Sequence, residues 1–384
     1  MSSLTAQTFL QKSFLNFQQS HRLPLFQIKA AEQLMICRTA VLGGHSVYCE
    51  EGHLNGVWYN SCHHRSCPQC NALKAEQWLQ KTQSLLLDCP HHHWVFTLPH
   101  ELHPLWHYNR AFCHQLLLQS VRKTLQELCV DPKYLGAQAA CVLALHTWAR
   151  NQSFHAHIHC LISHGGIDWE GQWQTPKRKS FLPAKVMMQL FRGKYLAGIR
   201  KGLEAGDLIA PKDQSDQQVI NLCNKLGRKD WVIHCVKAYL HGKGVAKYLA
   251  RYIRGGAIKN YQFISMTDTH ITFSYRSHQT KNTEYRQLTH EKFILQLLSH
   301  IAVPYKQQYQ MLGLYHGRCR KRLNQARELL CQKAVQEIAK IDWQKYFEKS
   351  EKQGCCKECG KPLVSLKALE DEVSIDQLKM AYLH

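Results

Sequence analysis

Phe154-His155-Ala156-His157-Ile158-His159-Cys160-Leu161-Ile162-Ser163 is the stretch that decides how this chain is read. In an extended strand alternate side chains share a face, so His155, His157 and His159 stand together while Ile158 and Cys160 face the opposite way. Imidazoles two residues apart can chelate one divalent ion, and Ile158 with the following Leu161 and Ile162 anchors the strand in a core. A plainer reading competes, because a chain with 25 histidines places some of them on strands by composition alone. The surrounding segments separate the two readings.

Upstream, residues 140–148 form a second apolar run, and Arg150-Asn151-Gln152-Ser153 is a polar turn between the two, the pattern of an antiparallel hairpin. In that pairing His146 lies opposite His157, which makes it the candidate third ligand, with His155 as the competitor. Downstream, Val245-Ala246-Lys247-Tyr248-Leu249-Ala250-Arg251-Tyr252-Ile253-Arg254 reads as a helix closed by Gly255-Gly256. Tyr248 and Tyr252 are four apart and stack on one face. Val245, Leu249 and Ile253 turn to one side of them and Lys247, Arg251 and Arg254 to the other. A phenol with a pKa of about 10 attacks phosphate well only where cations or a metal stabilise the phenolate, and both kinds of help are encoded here.

Composition narrows the class of partner. Lysine and arginine total 49 against 28 aspartates and glutamates, a formal charge of +21, so a polyanion is expected and nucleic acid comes first. With 384 residues, 45% of them hydrophobic, the chain can bury a sizeable core in two or three domains. No apolar run reaches the roughly 18 residues of a membrane span and no signal-peptide pattern is present, so a soluble intracellular protein is expected. Seventeen cysteines scattered through apolar segments fit a reducing compartment in which some are core and others bind metal.

Cys37, Cys49, His53, Cys62, Cys67 and Cys70 fall among Gly43, Gly44, Gly52 and Gly56 and read as a zinc module. The Cys67-Pro68-Gln69-Cys70 knuckle presents two thiolates to one tetrahedral ion, Cys49 with His53 is the expected other half, and Cys62 or Cys37 are alternative ligands. Arg65 on the same loop could reach phosphate. A second knuckle, Cys356-Lys357-Glu358-Cys359, shows only one ligand pair, and Cys319, Cys331 or a second subunit would have to complete it.

Taken in order, these motifs resemble those of the two-tyrosine rolling-circle transposases of the insertion sequence 91 family, within the HUH endonucleases. Asn60-Ser61-Cys62-His63-His64-Arg65-Ser66-Cys67-Pro68-Gln69-Cys70 is followed by Phe96-Thr97-Leu98-Pro99, Leu145-His146-Thr147, His157-Ile158-His159-Cys160 and Tyr248-Leu249-Ala250-Arg251-Tyr252-Ile253. The chain departs from many relatives in having Gly52 where they carry a cysteine, and His53 is then the substitute.

The resemblance implies an α+β fold with a central antiparallel sheet carrying the paired histidines, flanked by helices. The domains expected are a helical lead-in at 1–36, a zinc-binding DNA-recognition module at 37–88, an HUH domain at 90–300 and a basic, mostly helical C-terminal region at 301–384. A basic insertion is expected at 170–230, and strands near 262–266 and 271–276 are expected to complete the sheet. The implied activity is metal-dependent nicking and joining of single-stranded DNA at insertion-sequence ends through a 5′-phosphotyrosine. In it Tyr248 and Tyr252 are nucleophiles, and His157 and His159 hold magnesium or manganese. Zinc occupies the N-terminal module, and Arg65, Lys247, Arg251 and Arg254 contact DNA, with a hairpin at the element end. The setting implied is the bacterial cytoplasm, beside the nucleoid. A replication initiator or relaxase would share the chemistry, and a non-catalytic zinc-dependent DNA-binding regulator would share the modules.

Overall fold

Pro24 separates the first two helices, α1 (Ala6–Ser20) and α2 (Leu25–Ile36), as its fixed φ and missing amide dictate. Thr5 caps α1 by accepting from the Thr8 amide. The computed structural model describes residues 4–176, 181–240, 244, 246–247, 250, 256–277, 279–342 and 355–368. A hairpin of β1 (Gly44–Cys49) and β2 (Leu54–Tyr59) follows, then α3 (Ala72–Leu85), β3 (His91–Thr97), α4 (His103–Tyr108) and α5 (Arg110–Val130). The sequence reads as one helix from 105 to 129, but Asn109 interrupts it. Its backbone leaves the helical region, and its amide clasps Ile209, accepting from the Ile209 amide and donating to the Ile209 carbonyl.

The middle of the chain supplies β4 (Gln138–Trp148), β5 (Phe154–Ile167), β6 (Trp173–Gln174), α6 (Ala184–Glu204), α7 (Asp216–Gly227) and β7 (Ile233–Tyr239). Then come β8 (Phe263–Met266), β9 (His270–Arg276), β10 (Thr283–Thr289), α8 (His290–Ser299), β11 (Tyr309–Gly313), α9 (Arg320–Leu329) and β12 (Leu363–Ala368). The central antiparallel sheet runs β11-β4-β5-β3-β7, with β6 paired to β5, so the histidine strand lies in its middle.

Strand periodicity assigns the two faces of that sheet. Phe96, Leu143, Leu145, Ile158, Cys160 and Ile162 point into one core against α5, α6 and α7. Val142, Ala144 and Leu161 point the other way, towards Trp78 and Leu85 of α3, Ala246, Ala250, Tyr315 and Leu323 of α9. Burying a side chain as completely as Phe96 contributes about 1.5–3 kcal/mol. A central strand covered on both faces is thereby held rigid, and its histidines with it.

Four expectations change. The basic insertion is an integral layer: Met187, Phe191, Tyr195, Ile199, Val219 and Leu226 of α6 and α7 are buried on the sheet, while charges such as Lys194, paired with Glu127, occupy the outer surface. Lys177, Arg178 and Lys179 lie outside the described residues. The strands at 263–276 do not complete the central sheet but join β10 in a separate sheet, β10-β9-β8. The lead-in belongs to that second body, because Phe9, Leu10, Phe14 and Leu34 share a core with Ile271, Phe273, Phe293 and Leu297. Finally, the C-terminal region contributes strands as well as α9: β11 extends the central sheet and β12 pairs with β1, giving a third sheet ordered β12-β1-β2. No described helix is long and apolar enough to cross a membrane.

Candidate functional site

The β4–β5 register sets His146 directly opposite His157, and the pleat puts His159 on the same face two residues on. His157 Nε2 and His159 Nε2 are 3.2 Å apart, and one ring nitrogen from each of His146, His157 and His159 lies within 4.8 Å of the others. All three are buried. His157 Nδ1 is 2.8 Å from the His155 carbonyl, which can only accept, so Nδ1 carries the proton and Nε2 presents its lone pair to the cluster. Burial, reinforced by the neighbouring imidazoles, holds His146 and His159 well below the usual histidine range. Burial likewise brings His157 down to about 4. Neutral imidazoles with converging lone pairs are the form that binds a metal.

Of the two candidates for a third ligand, the structure brings His146 to His157 and His159. The His155 ring is half-buried and 5.0 Å from that of His157, and it stands outside the cluster. Its backbone carbonyl is what orients His157. One further residue, which the sequence analysis does not single out, belongs beside them: His93, whose Nε2 is 2.8 Å from His159 Nδ1. On β3 it pairs with Leu161, the diagonal neighbour of His159, a position within reach across a sheet. The signal that could have found it is the alternation of β3 in register with β5.

The helix expected to carry the tyrosines is described at four positions. Gly244, Ala246, Lys247 and Ala250 are helical; Ala246 and Ala250 are buried in the core that contains Val142, Ala144 and Leu161, on the sheet face bearing the three histidines. Lys247 is exposed. Tyr248, Tyr252, Arg251 and Arg254 lie outside the described residues, as do Val245, Leu249 and Ile253. Beyond the helix Gly256 has a φ of +70°, and a Cβ placed there would sit 2.4 Å from the Ser66 carbonyl oxygen in the cysteine loop. Gly256 and that loop therefore touch backbone to backbone.

The cysteines divide differently from expectation. Cys67 and Cys70 do not share a centre with Cys49 and His53; they converge with Cys37 and Cys62. Cys67 Sγ lies 3.5 Å from Cys37 Sγ and Cys62 Sγ lies 3.8 Å from Cys70 Sγ. A tetrahedral zinc with bonds of about 2.3 Å sets sulfurs about 3.8 Å apart, so this set fits the ion. The reason for the split is β1, whose six residues carry Cys49 about 17 Å from the end of the hairpin next to Cys37. Cys49 and His53 instead meet Cys356 and Cys359, while Cys319 and Cys331 stand outside both groups. Arg65 is half-buried, and its guanidinium donates to the Lys306 carbonyl at 3.0 Å, fastening the loop to the segment before β11.

Comparison with known proteins identifies relatives of two segments of the chain. A family model described as "Transposase zinc-binding domain" matches residues 9–98, and one described as "Putative transposase" matches residues 140–322. The chain is 30% identical to "Putative transposase y4qJ" of Sinorhizobium fredii, over 79% of this chain and 78% of that protein. It is 27% identical to the transposase for insertion sequence element IS801 of Pseudomonas savastanoi pv. phaseolicola, over 76% and 71%. Among solved structures, a metal-bound conjugative relaxase TrwC in complex with oriT DNA aligns over 41% of this chain and 69% of that one, with 12% identity and a TM-score of 0.21.

Proposed function

Since this chain belongs to the insertion sequence 91 family of transposases, we propose that it nicks and rejoins single-stranded DNA at the ends of its element through a 5′-phosphotyrosine. The observation that carries this reading is the buried triad of His146, His157 and His159, on the sheet face against which Ala246 and Ala250 pack. Three convergent neutral nitrogens fit a divalent cation, and nitrogen donors favour manganese over magnesium. Such an ion would polarise the scissile phosphate.

The chain's own residues do the rest. His155 and His93 fix the orientation of the ring nitrogens of His157 and His159. The phenol of Tyr248 or Tyr252 gives up its proton and attacks phosphorus in line; the bond to the 3′ oxygen breaks, and that oxygen leaves as a hydroxyl. The new ester retains the energy of the old one, so a second 3′-hydroxyl can displace the tyrosine without a nucleotide cofactor. With two tyrosines, one can hold the first end while the other accepts the second. Lys247, Arg251 and Arg254 beside them offer cations to the strand, with a hairpin at the element end as the recognised structure. Cys37, Cys62, Cys67 and Cys70 would hold the zinc, which would order the loop that abuts Gly256.

The test uses labelled single strands from the element ends, incubated with manganese or magnesium and examined for an SDS-resistant adduct. The adduct is expected to need metal, to survive in Tyr248→Phe or Tyr252→Phe, and to vanish in the double variant and in His157→Ala/His159→Ala. DNA binding that weakens steeply with added salt is expected alongside. Intact binding with no adduct on any end would leave a DNA-binding regulator, and cleavage of transfer or replication origins in preference to element ends would leave a relaxase or initiator.

A further inference from the structure

The match to a zinc-binding domain ends at residue 98 and accounts for half of the second ligand group. Cys49 and His53 stand at the tip of the β1–β2 hairpin, and Cys356 and Cys359 on a knuckle just before β12. Cys49 Sγ is 3.7 Å from Cys359 Sγ, and His53 Nδ1 is 3.5 Å from Cys49 Sγ and 3.7 Å from Cys356 Sγ. Zinc bonds of about 2.3 Å to sulfur and about 2.0–2.1 Å to nitrogen give tetrahedral edges of about 3.8 Å and about 3.6 Å, so the spacings match a single ion. They are far too long for a disulfide, whose sulfurs approach to about 2.05 Å.

The surroundings are those of a built metal site. His53 turns Nδ1 to the sulfurs and Nε2 to the Glu358 carboxylate at 3.6 Å, the carboxylate-histidine arrangement that orients a ligand. Asn55 donates to Cys356 Sγ at 3.1 Å and accepts from the Lys357 amide at 2.9 Å, while the Glu358 amide points at the same sulfur from 3.4 Å. The backbone converges as well: β12 pairs with β1 from His45–Ala368 to Cys49–Leu363, and Lys361 forms an ion pair with Glu51.

We infer that Cys49, His53, Cys356 and Cys359 bind a second structural zinc ion, which fastens the C-terminal strand to the N-terminal module. Three thiolates and one imidazole fill all four positions, leaving none for substrate, which marks the site as structural. Ligands more than 300 positions apart are brought together, and the ion supplies the free energy that offsets closing so long a loop. The β1–β2 hairpin and β12 thereby form one unit. The inference is independent of the nuclease chemistry.

Metal analysis of the full-length protein tests it. Two zinc ions per chain are expected, falling to one in Cys356→Ser/Cys359→Ser and to one in Cys67→Ser/Cys70→Ser. A second measurement keeps all four ligands in place. Cobalt-loaded His53→Cys should still bind two ions, with the ligand-field absorption moved to longer wavelength because thiolate is a weaker-field donor than imidazole. One zinc in the wild type, two in Cys356→Ser/Cys359→Ser, or an unchanged cobalt spectrum in His53→Cys would each overturn the assignment.

Discussion

His93 Nε2 lies 2.8 Å from His159 Nδ1, so the ring that offers Nε2 to the cluster is held from behind by a third strand. Partners of this kind typically change metal affinity by about 10–100-fold when removed. His93→Ala is therefore expected to raise the manganese concentration for half-maximal adduct formation by about that factor. His93→Gln, which keeps a polar partner, should recover part of it. An unchanged manganese requirement in His93→Ala would show that His159 needs no such support.

His146 and His155 separate on the same measurement. His146 contributes a ring nitrogen to the cluster, whereas the contribution of His155 is its backbone carbonyl, which survives substitution. His146→Ala is expected to lower metal-dependent cleavage by about 100-fold or more, and His155→Ala by less than about tenfold. Equal losses would return His155 to the ligand set.

The hairpin was legible because period-two alternation and a polar turn together specify which side chains meet: His146 opposite His157 follows from the sequence and recurs in the register. Partnership between remote segments was not. The strands 263–266 and 270–276 carry ordinary β patterning, and nothing local says that they pair with β10 and pack on Phe9 instead of completing the central sheet. Charge hid the role of α6, where Met187, Phe191 and Tyr195 recur at helical spacing among lysines and arginines that occupy the outer face. The cysteines failed in the same way: proximity in sequence put Cys49 with Cys67, while a six-residue strand put it with Cys359.

Acid sensitivity follows from imidazoles buried away from the cluster. Burial brings His91, His114 and His300 down to about 4, each in spite of a backbone carbonyl that stabilises the proton. In the unfolded chain they titrate near the ordinary 6.5, so between the two values the unfolded state binds more protons. Their contribution is complete above pH 6.5 and is lost as pH falls towards 4, by at most about 3 kcal/mol for each ring. Urea unfolding at pH 7.5, 6 and 5 should show midpoints falling in that order, and His91→Gln should flatten the dependence. A midpoint constant from pH 7.5 to 5 would mean that these rings protonate without unfolding the chain.

Gly256, whose backbone meets the cysteine loop at Ser66, makes the last case. Its φ of +70° suits glycine, and an added Cβ would come 2.4 Å from the Ser66 oxygen, a backbone atom that cannot swing aside. Gly256→Ala thus combines left-handed strain with a forced separation of the two segments, a cost on the order of 2–3 kcal/mol. The apparent thermal midpoint should drop by several degrees, and adduct formation should fall further than stability alone explains, because Ser66 precedes the zinc-ligand candidate Cys67. Gly244→Ala is the control: its φ is ordinary and no atom of the described residues lies within 4 Å of the new Cβ, so its midpoint should match or slightly exceed the wild type. Wild-type stability in Gly256→Ala would mean that the loop yields at Ser66, and the contact would then be a passive one.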